Sequence, residues 1–273
     1  MRIAVVTGAS SGLGREYILQ INSSETNIDE IWAIARRRER LEELKAASGI
    51  PVRVFPLDLL DKKSIAALGE VLDREKPVVA LLINAAGFGK IGGSLEVGMD
   101  ASDRMIGLNC RSAVDMTFLC IPYMERGSRI MEVCSTAAFQ PFQYLNVYAA
   151  SKAFLYRFSR ALRVELLGKG IRVTAVCPYW IRDTEFIPVA RTEGAETGRD
   201  PAGTVPAGSG GSKAVRHFPL SSKVSSVASH SLRASRMGLP VSTPGIVCTL
   251  HWIFAKFIPS ELMMGIWALL RRV

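Results

Sequence analysis

The chain has 273 residues, 48% hydrophobic and 22% charged, the balance of one globular domain large enough for a full core. It carries a net charge of +9, and residues 186–273 hold ten Lys/Arg against four Asp/Glu, so +6 of the sum lies there. No basic stretch is interleaved with aromatics, which excludes an obvious nucleic-acid groove. The five cysteines are scattered with no C-x-x-C and only three histidines accompany them, so no metal site is expected, and buried free thiols in a reducing, cytoplasmic setting are. The chain opens on a strand pattern without a charged n-region and apolar h-region, so no secretory signal is expected. No uninterrupted apolar run reaches the ~18 residues of a spanning helix.

Arg2 to Val6 is a β-branched apolar run that predicts a buried strand. It leads into Thr7-Gly8-Ala9-Ser10-Ser11-Gly12-Leu13-Gly14 and a helix over about 13–22. Strand, glycine turn and helix form a cradle in which backbone can approach a pyrophosphate at a helix N-terminus. Ile28 to Ala35 predicts the second strand, followed by Arg36-Arg37-Arg38 and the helix RERLEELKAA. The end of that strand is where an acidic residue would hold the ribose 2′-OH of NAD. Here the chain offers Ala35 and arginines, which fit a 2′-phosphate through charge-assisted bonds.

Val52 to Leu57 predicts the third strand, with Asp58 and Leu59 after it and a helix over 62–73. Pro77 to Ile83 is fully apolar, as in a parallel sheet covered on both faces, and ends in Asn84-Ala85-Ala86-Gly87. Residues 99–123 predict one long helix with Asn109 near its middle, where an Asn ordinarily faces solvent or bonds back to its own helix. Arg129 to Cys134 is the next strand, with Ser135 at its end. Tyr148 and Lys152, four residues apart in an Ala-rich helix that runs to about Leu167, share one helical face. An ammonium beside a phenol favours phenolate, so Tyr148 is expected to titrate below its ordinary range and to exchange a proton with a carbonyl or alcohol oxygen. Ile171 to Cys177 is the last predicted strand. Alternating strands and helices argue for an α/β doubly wound parallel sheet, a Rossmann fold in three layers, forming one domain over 1–273. Residues 190–212, rich in Gly, Pro, Ser and Thr, read as a flexible loop near the substrate side and a candidate lid. A helix follows over 221–237.

Residues 245–273 hold two apolar pieces, IVCTLHWIFAKF and ELMMGIWALLRRV, interrupted or flanked by His251, Lys256, Arg271 and Arg272. Two readings stand: an interfacial helix on an anionic membrane, or helices packed on the domain or across a subunit interface.

Taken together, TGASSGLG, Asp58, NAAG at 84–87, Asn109, Ser135 and YAASK at 148–152 resemble the short-chain dehydrogenase/reductase superfamily, in order and spacing, over about residues 1–187. The resemblance implies that Tyr148 is the general acid/base, Lys152 binds the nicotinamide ribose and lowers the Tyr148 pKa, and Ser135 holds the substrate oxygen. It implies that Asn109 holds a helix distortion and a water that links Lys152 to solvent. Gly8, Ser10, Ser11, Gly12, Leu13 and Gly14 would surround the pyrophosphate, with Arg36 and Arg37 at the 2′-phosphate. Asp58, Leu59, Asn84, Ala85, Ala86 and Gly87 would lie on the adenosine side, and Pro178, Ile181 and Thr184 by the carboxamide. Tyr179 stands where the family commonly has glycine, a departure that narrows or reshapes the nicotinamide side. Phe88, Phe139, Phe142, Tyr144, Tyr179 and Phe186, with Trp180, would line an apolar pocket. The implied function is NADP(H)-dependent interconversion of a carbonyl and an alcohol on a steroid-, acyl- or aromatic-type substrate, in a homo-oligomer. The other class of function is a catalytically silent NADP(H)-binding sensor or scaffold.

Overall fold

The computed structural model describes residues 1–25, 27–191 and 220–270. Among these, seven parallel strands form one sheet in the order β3-β2-β1-β4-β5-β6-β7. The strands are β1 (Arg2–Thr7), β2 (Glu30–Ala35), β3 (Val52–Pro56), β4 (Val78–Asn84), β5 (Arg129–Val133), β6 (Arg172–Val176) and β7 (Val241–Ser242). The order reverses between β1 and β4, and in such sheets ligands bind at the carboxyl ends of the strands beside that switch point. Six strands match the sequence expectation. The seventh is two residues long, too short for an alternation to show.

Period-2 alternation divides the strand side chains between two cores. Ala4 and Val6 pack with Tyr17 and Ile21 of α1 (Gly12–Ser24), Leu41 and Leu44 of α2 (Arg38–Ala47), and Val227 and Leu232 of α8 (Val224–Arg236). Ile3 and Val5 pack on the other face with Leu68 and Leu72 of α3 (Lys62–Glu75), Met116 of α5 (Ser112–Cys120) and Leu162 of α6 (Asn146–Glu165). In β4 the parity switches. Val79 and Leu82 share one face although they are three apart, because the β1–β4 register slips by one residue between Ile3 and Ala4. A bulge of this kind re-aims every later side chain. It sends Asn84 toward α5.

The predicted helix over 99–123 is not one helix. It runs as α4 (Ser94–Ile106), a π-helical turn at Gly107–Arg111, α5, and a 3₁₀ turn at Ile121–Tyr123. After β6 a short α7 (Phe186–Arg191) precedes α8, and α9 (Ile246–Phe257) and α10 (Ser260–Leu270) close the described chain. Most of the expected 190–212 loop, and Arg271 and Arg272, lie outside the described residues. No described helix is long and apolar enough to cross a membrane.

Of the two tail readings, packing on the domain has direct contacts. The His251 ring meets Phe139 and Phe142 edge-on, and its Nε2 is 2.8 Å from Gln140 Oε1. Trp267 meets Phe142 edge-on, and Gln143 Nε2 donates to the Met264 carbonyl at 3.2 Å. Burial holds the His251 imidazole well below its ordinary range, at about 4, so it is neutral at pH 7 and adds no basic charge to this face. Ile246, Phe254, Phe257 and Leu262 remain exposed on the outer side of these helices.

Candidate active site

Ser135 follows β5 by two residues, where the strand ends and the chain turns into a 3₁₀ segment, Thr136–Ala138. Its Oγ accepts from Ala137 N at 3.1 Å, which fixes the hydroxyl at the mouth of the sheet. The same hydroxyl stands near enough to the Tyr148 phenol, thirteen positions on, to favour its ionised form. Tyr148 lies in the first turn of α6 and its ring is 5.4 Å from that of Phe186. One turn later, Lys152 Nζ lies 5.8 Å from the Tyr148 ring centroid and donates to the Val133 carbonyl at 2.7 Å. The i,i+4 spacing thus brings both groups to the end of β5, as expected from the helix period.

Asn109 departs from the ordinary reading of a mid-helix Asn. It is fully buried and bonds to other segments. Its Oδ1 accepts from Phe88 N at 3.0 Å, while Nδ2 donates to the Phe88 carbonyl at 2.9 Å and to Ser151 Oγ at 3.0 Å. The helix widens into its π turn over the residues that include Asn109. π-Bulges of this kind occur often at functional sites. A Cβ on Gly87 would lie 2.8 Å from Asn109 Oδ1 and 3.4 Å from Lys152 Nζ, so only glycine lets the strand end pass between them.

The expected depression of the Tyr148 pKa is not what the site produces. Burial pushes the phenol above its ordinary value, and the Ser135 hydroxyl only partly offsets this. Burial also pulls the Lys152 ammonium down. Desolvation of the charged form is the largest cause for both groups. At neutral pH the phenol therefore carries its proton.

Behind the site, Glu132 of β5 is fully buried. Its Oε1 accepts from Asn84 Nδ2 at 3.0 Å and from Thr117 Oγ1 at 2.8 Å, whereas Oε2 has no partner. Asn84, expected on the adenosine side, instead turns its amide inward to this carboxylate and to the Ala113 carbonyl at 3.2 Å. The bulge in β4 is the cause. Burial pushes the Glu132 carboxyl up to about 7 from an ordinary 4.5, against the Asn84 and Thr117 bonds and the Lys152 charge. Between those two values the folded state holds a proton that the unfolded chain has released, so stability falls as pH rises through this window and stays lower above it. Glu132→Gln is expected to shrink the stability loss between pH 5 and pH 8 by about 3 kcal/mol. Thermal melts of both proteins at the two pH values read this difference, and parallel pH profiles would refute it.

The glycine loop is a cradle in the geometric sense. Gly8 has φ +68°, and a Cβ there would stand 2.8 Å from the backbone of Ala85 and Ala86. Thr7, which sequence reasoning did not single out, accepts from both Ala85 N and Ala86 N at 3.1 Å through its Oγ1 and so ties the 84–87 turn to the cradle. A buried Thr immediately before the first glycine was the available signal. Ser11 caps α1 without a side-chain capping bond. Leu13 and Leu59 are buried in the two cores. Asp58 Oδ1 accepts from Leu60 N at 3.0 Å and shapes the turn after β3. Arg36 is exposed and Arg37 turns back to Ser10 Oγ, with Nε at 3.3 Å and Nη2 at 3.2 Å. A cleft of about 510 Å³ opens here, with Ser10, Ser11, Gly12, Arg15, Arg40 and Thr184 in its wall. Glycines that leave no room for a side chain, a free helix N-terminus and several guanidiniums suit a ligand with a pyrophosphate and a further phosphate.

On the other side, Pro178 is buried and its carbonyl accepts from Thr136 N at 3.0 Å, while Ile181 bridges to Ser222. Thr184 lies against Gly12. Tyr179, in the place of the usual glycine, donates its backbone N–H to Cys248 Sγ at 3.2 Å, which ties this loop to α9. Phe186 stands between Tyr148 and Trp180 and joins Phe88 and Phe142 in one apolar cluster. Phe139 belongs to a different cluster, against Tyr156 and His251, so it supports the wall from behind. Tyr144 is partly exposed at φ +63° on the rim. The five cysteines are buried and free, as expected.

Comparison with known proteins adds independent findings. The family profile described as short chain dehydrogenase matches residues 2–193. The chain is 34% identical over 190 residues to the probable oxidoreductase EphD of Mycobacterium tuberculosis (strain ATCC 25618 / H37Rv), covering 67% of this chain but 31% of that protein. It is 34% identical over 198 residues to the NADP-dependent 3-hydroxy acid dehydrogenase YdfG of Escherichia coli (strain K12), covering 67% of this chain and 74% of that protein. Among solved structures, a short-chain dehydrogenase from Sphingobium yanoikuyae in complex with NADPH superposes with a TM-score of 0.75 at 24% identity, over 98% of this chain and 95% of that one. The closed form of a serine dehydrogenase complexed with NADP+ superposes at 0.62 with 31% identity, over 68% and 75% of the two chains.

Proposed function

The chain belongs to the short-chain dehydrogenase family, and on that premise we propose that it is an NADP(H)-dependent oxidoreductase that interconverts a ketone or aldehyde and the matching alcohol. The observation that carries this is the meeting of Ser135, Tyr148, Lys152 and Asn109 at the end of β5, beside the glycine cradle. A silent nucleotide-binding protein has no need to keep this set assembled, so its retention favours catalysis. The NADP(H) reading is supported by the relatives described as NADP-dependent or bound to NADPH or NADP+, and by Arg36, which is exposed at the end of β2 with no partner among the described residues.

The cradle residues Gly8, Ser11, Gly12 and Gly14 would hold the pyrophosphate and Arg36 would reach the 2′-phosphate. The cofactor supplies a hydride. The chain's own residues orient the oxygen and move the proton. Ser135 Oγ and Tyr148 Oη hold the substrate oxygen between them. In reduction, the Tyr148 O–H bond breaks and its proton goes to the oxygen as negative charge develops there. Lys152, anchored on the Val133 carbonyl, supplies the positive charge that stabilises the phenolate left behind. Asn109 holds the Phe88 backbone after β4 and the Ser151 turn of α6, and so fixes where Tyr148 and Lys152 stand.

A hydrophobic substrate fits the apolar wall of Phe186, Trp180 and Phe142, which α9 and α10 support from outside. Steady-state kcat/KM over a panel of steroid, acyl and aromatic ketones, with NADPH and with NADH, tests the reading. The expected result is turnover of at least one class with NADPH preferred. Arg36→Ala is expected to cut that preference roughly 10–100-fold, the worth of one lost charge-assisted bond. A wild-type preference for NADH would overturn the cofactor assignment.

A further inference from the structure

The segment after β6 carries a carboxylate into the arginine cluster at the end of β2. Asp183 Oδ1 accepts from Val224 N at 2.8 Å at the start of α8, and Thr184 lies against Gly12, so residues 181–185 are pinned over the glycine loop. From there Glu185 reaches across. Its Oε2 is 3.0 Å from Arg37 Nη1, and its Oε1 is paired with Arg40 Nη1. Arg37 and Arg40 stand three apart at the start of α2, where the helix N-terminus also favours an anion. Arg37 keeps its Nε and Nη2 on Ser10 Oγ of the glycine loop. Two guanidiniums thus converge on one oxyanion, one of them braced by the cradle's Ser10 hydroxyl, and that oxyanion belongs to the chain itself.

We propose that Glu185 is an internal stand-in for the cofactor's 2′-phosphate, occupying Arg37 and Arg40 until the phosphate displaces it, and so limiting how strongly this protein prefers phosphorylated cofactor. The proposal rests on the NADP(H) reading above. A phosphate monoester offers three oxygens and a charge of about −1.5 to −2, against two oxygens and −1 for a carboxylate, so it wins the exchange. The pair it breaks is weakly held. The Arg37, Arg40 and Glu185 side chains are 42%, 43% and 43% exposed, and exposed pairs of this kind contribute little. The arginines keep Glu185 ionised by holding its carboxyl below the usual range, Arg40 more than Arg37. Displacement also has a consequence at the other end of the segment. Glu185 is followed by Phe186, whose ring is 5.4 Å from that of Tyr148. Releasing Glu185 loosens the anchor of that wall, so the phosphate at one end of the cofactor site is coupled to the substrate side.

The experiment is a fluorescence titration of the full chain with NADPH and, separately, with NADH, for wild type, Glu185→Gln, Glu185→Ala and Arg40→Ala, with a thermal melt of each variant as a folding control. Removing the internal competitor is expected to tighten NADPH about fivefold in both Glu185 variants, the weight of one exposed ion pair, and to leave NADH within about twofold. Arg40→Ala is expected to weaken NADPH and not NADH. If the Glu185 variants leave NADPH unchanged, or weaken both cofactors alike, Glu185 is a bystander or a loop anchor and the proposal is overturned, with the NADP(H) reading intact. If wild type fails to prefer NADPH and Arg40→Ala changes nothing, the underlying cofactor reading fails instead.

Discussion

Tyr148→Phe is expected to lower kcat by about 10³-fold while the dissociation constant for NADPH stays within about twofold, because general acid catalysis contributes on the order of 10²–10⁴. The substitution removes one hydroxyl and nothing else. The ring stays packed on Phe186, and a Cβ on Gly89 would already touch it at 2.9 Å, so the cavity around the ring is tightly matched to a benzene shape. What is lost is the proton donor beside the Ser135 hydroxyl. Single-turnover NADPH oxidation with a reactive ketone reads the chemical step, and fluorescence titration reads binding. Retained turnover would remove Tyr148 from the reaction. The direction of its pKa shift adds a second reading. A phenol raised by burial stays protonated across neutral pH, so the rate of carbonyl reduction is expected to be flat between about pH 6 and pH 8 as far as this group is concerned.

Gly14→Ala is the second large effect. A Cβ on Gly14 would lie 2.3 Å from the Gly8 carbonyl oxygen and 2.7 Å from its carbon. Both are backbone atoms of the cradle, so the clash is relieved only by moving α1 away from β1 or by opening the loop. Overpacking of this kind costs about 3 kcal/mol, although alanine is the better helix former. For a domain of this size the melting temperature is expected to drop by roughly 6–12 °C. NADPH binding is expected to weaken roughly 10–100-fold, the loss of one charge-assisted bond at the displaced loop. Gly168→Ala is the control, since a Cβ there meets nothing within 4 Å. Equal melts for the two variants would show that the close approach of Gly14 to Gly8 does not matter.

Much of this protein is legible in the chain. Apolar runs such as VVALLIN and RIAVVT mark buried parallel strands, because a sheet covered on both faces tolerates no polar side. The glycine spacing marks the cradle, and the four-residue step from Tyr148 to Lys152 marks a shared helical face. The bulge in β4 was not legible, since no residue in VVALLIN distinguishes an extra residue from a regular strand. That one-residue slip turns Asn84 away from the cofactor side and into the Glu132 network. The π turn at Asn109 was hidden from the residue pattern, because an apolar pattern over 99–123 reads as one helix whether or not five residues of it widen; only the family resemblance implied a distortion there.

The sequence by itself determined which chemical groups are present and how neighbours four residues apart share a surface. Those facts follow from backbone period and side-chain type, which are local. Only the tertiary structure decided the electrostatics. Whether Tyr148 is pushed up or down depends on how much water the whole fold removes, and here burial pushes it up. Whether Arg37 and Arg40 stand open or held depends on Glu185, which is 148 residues from Arg37. Desolvation and charge pairing are sums over groups that the fold, not the chain order, brings within a few ångströms.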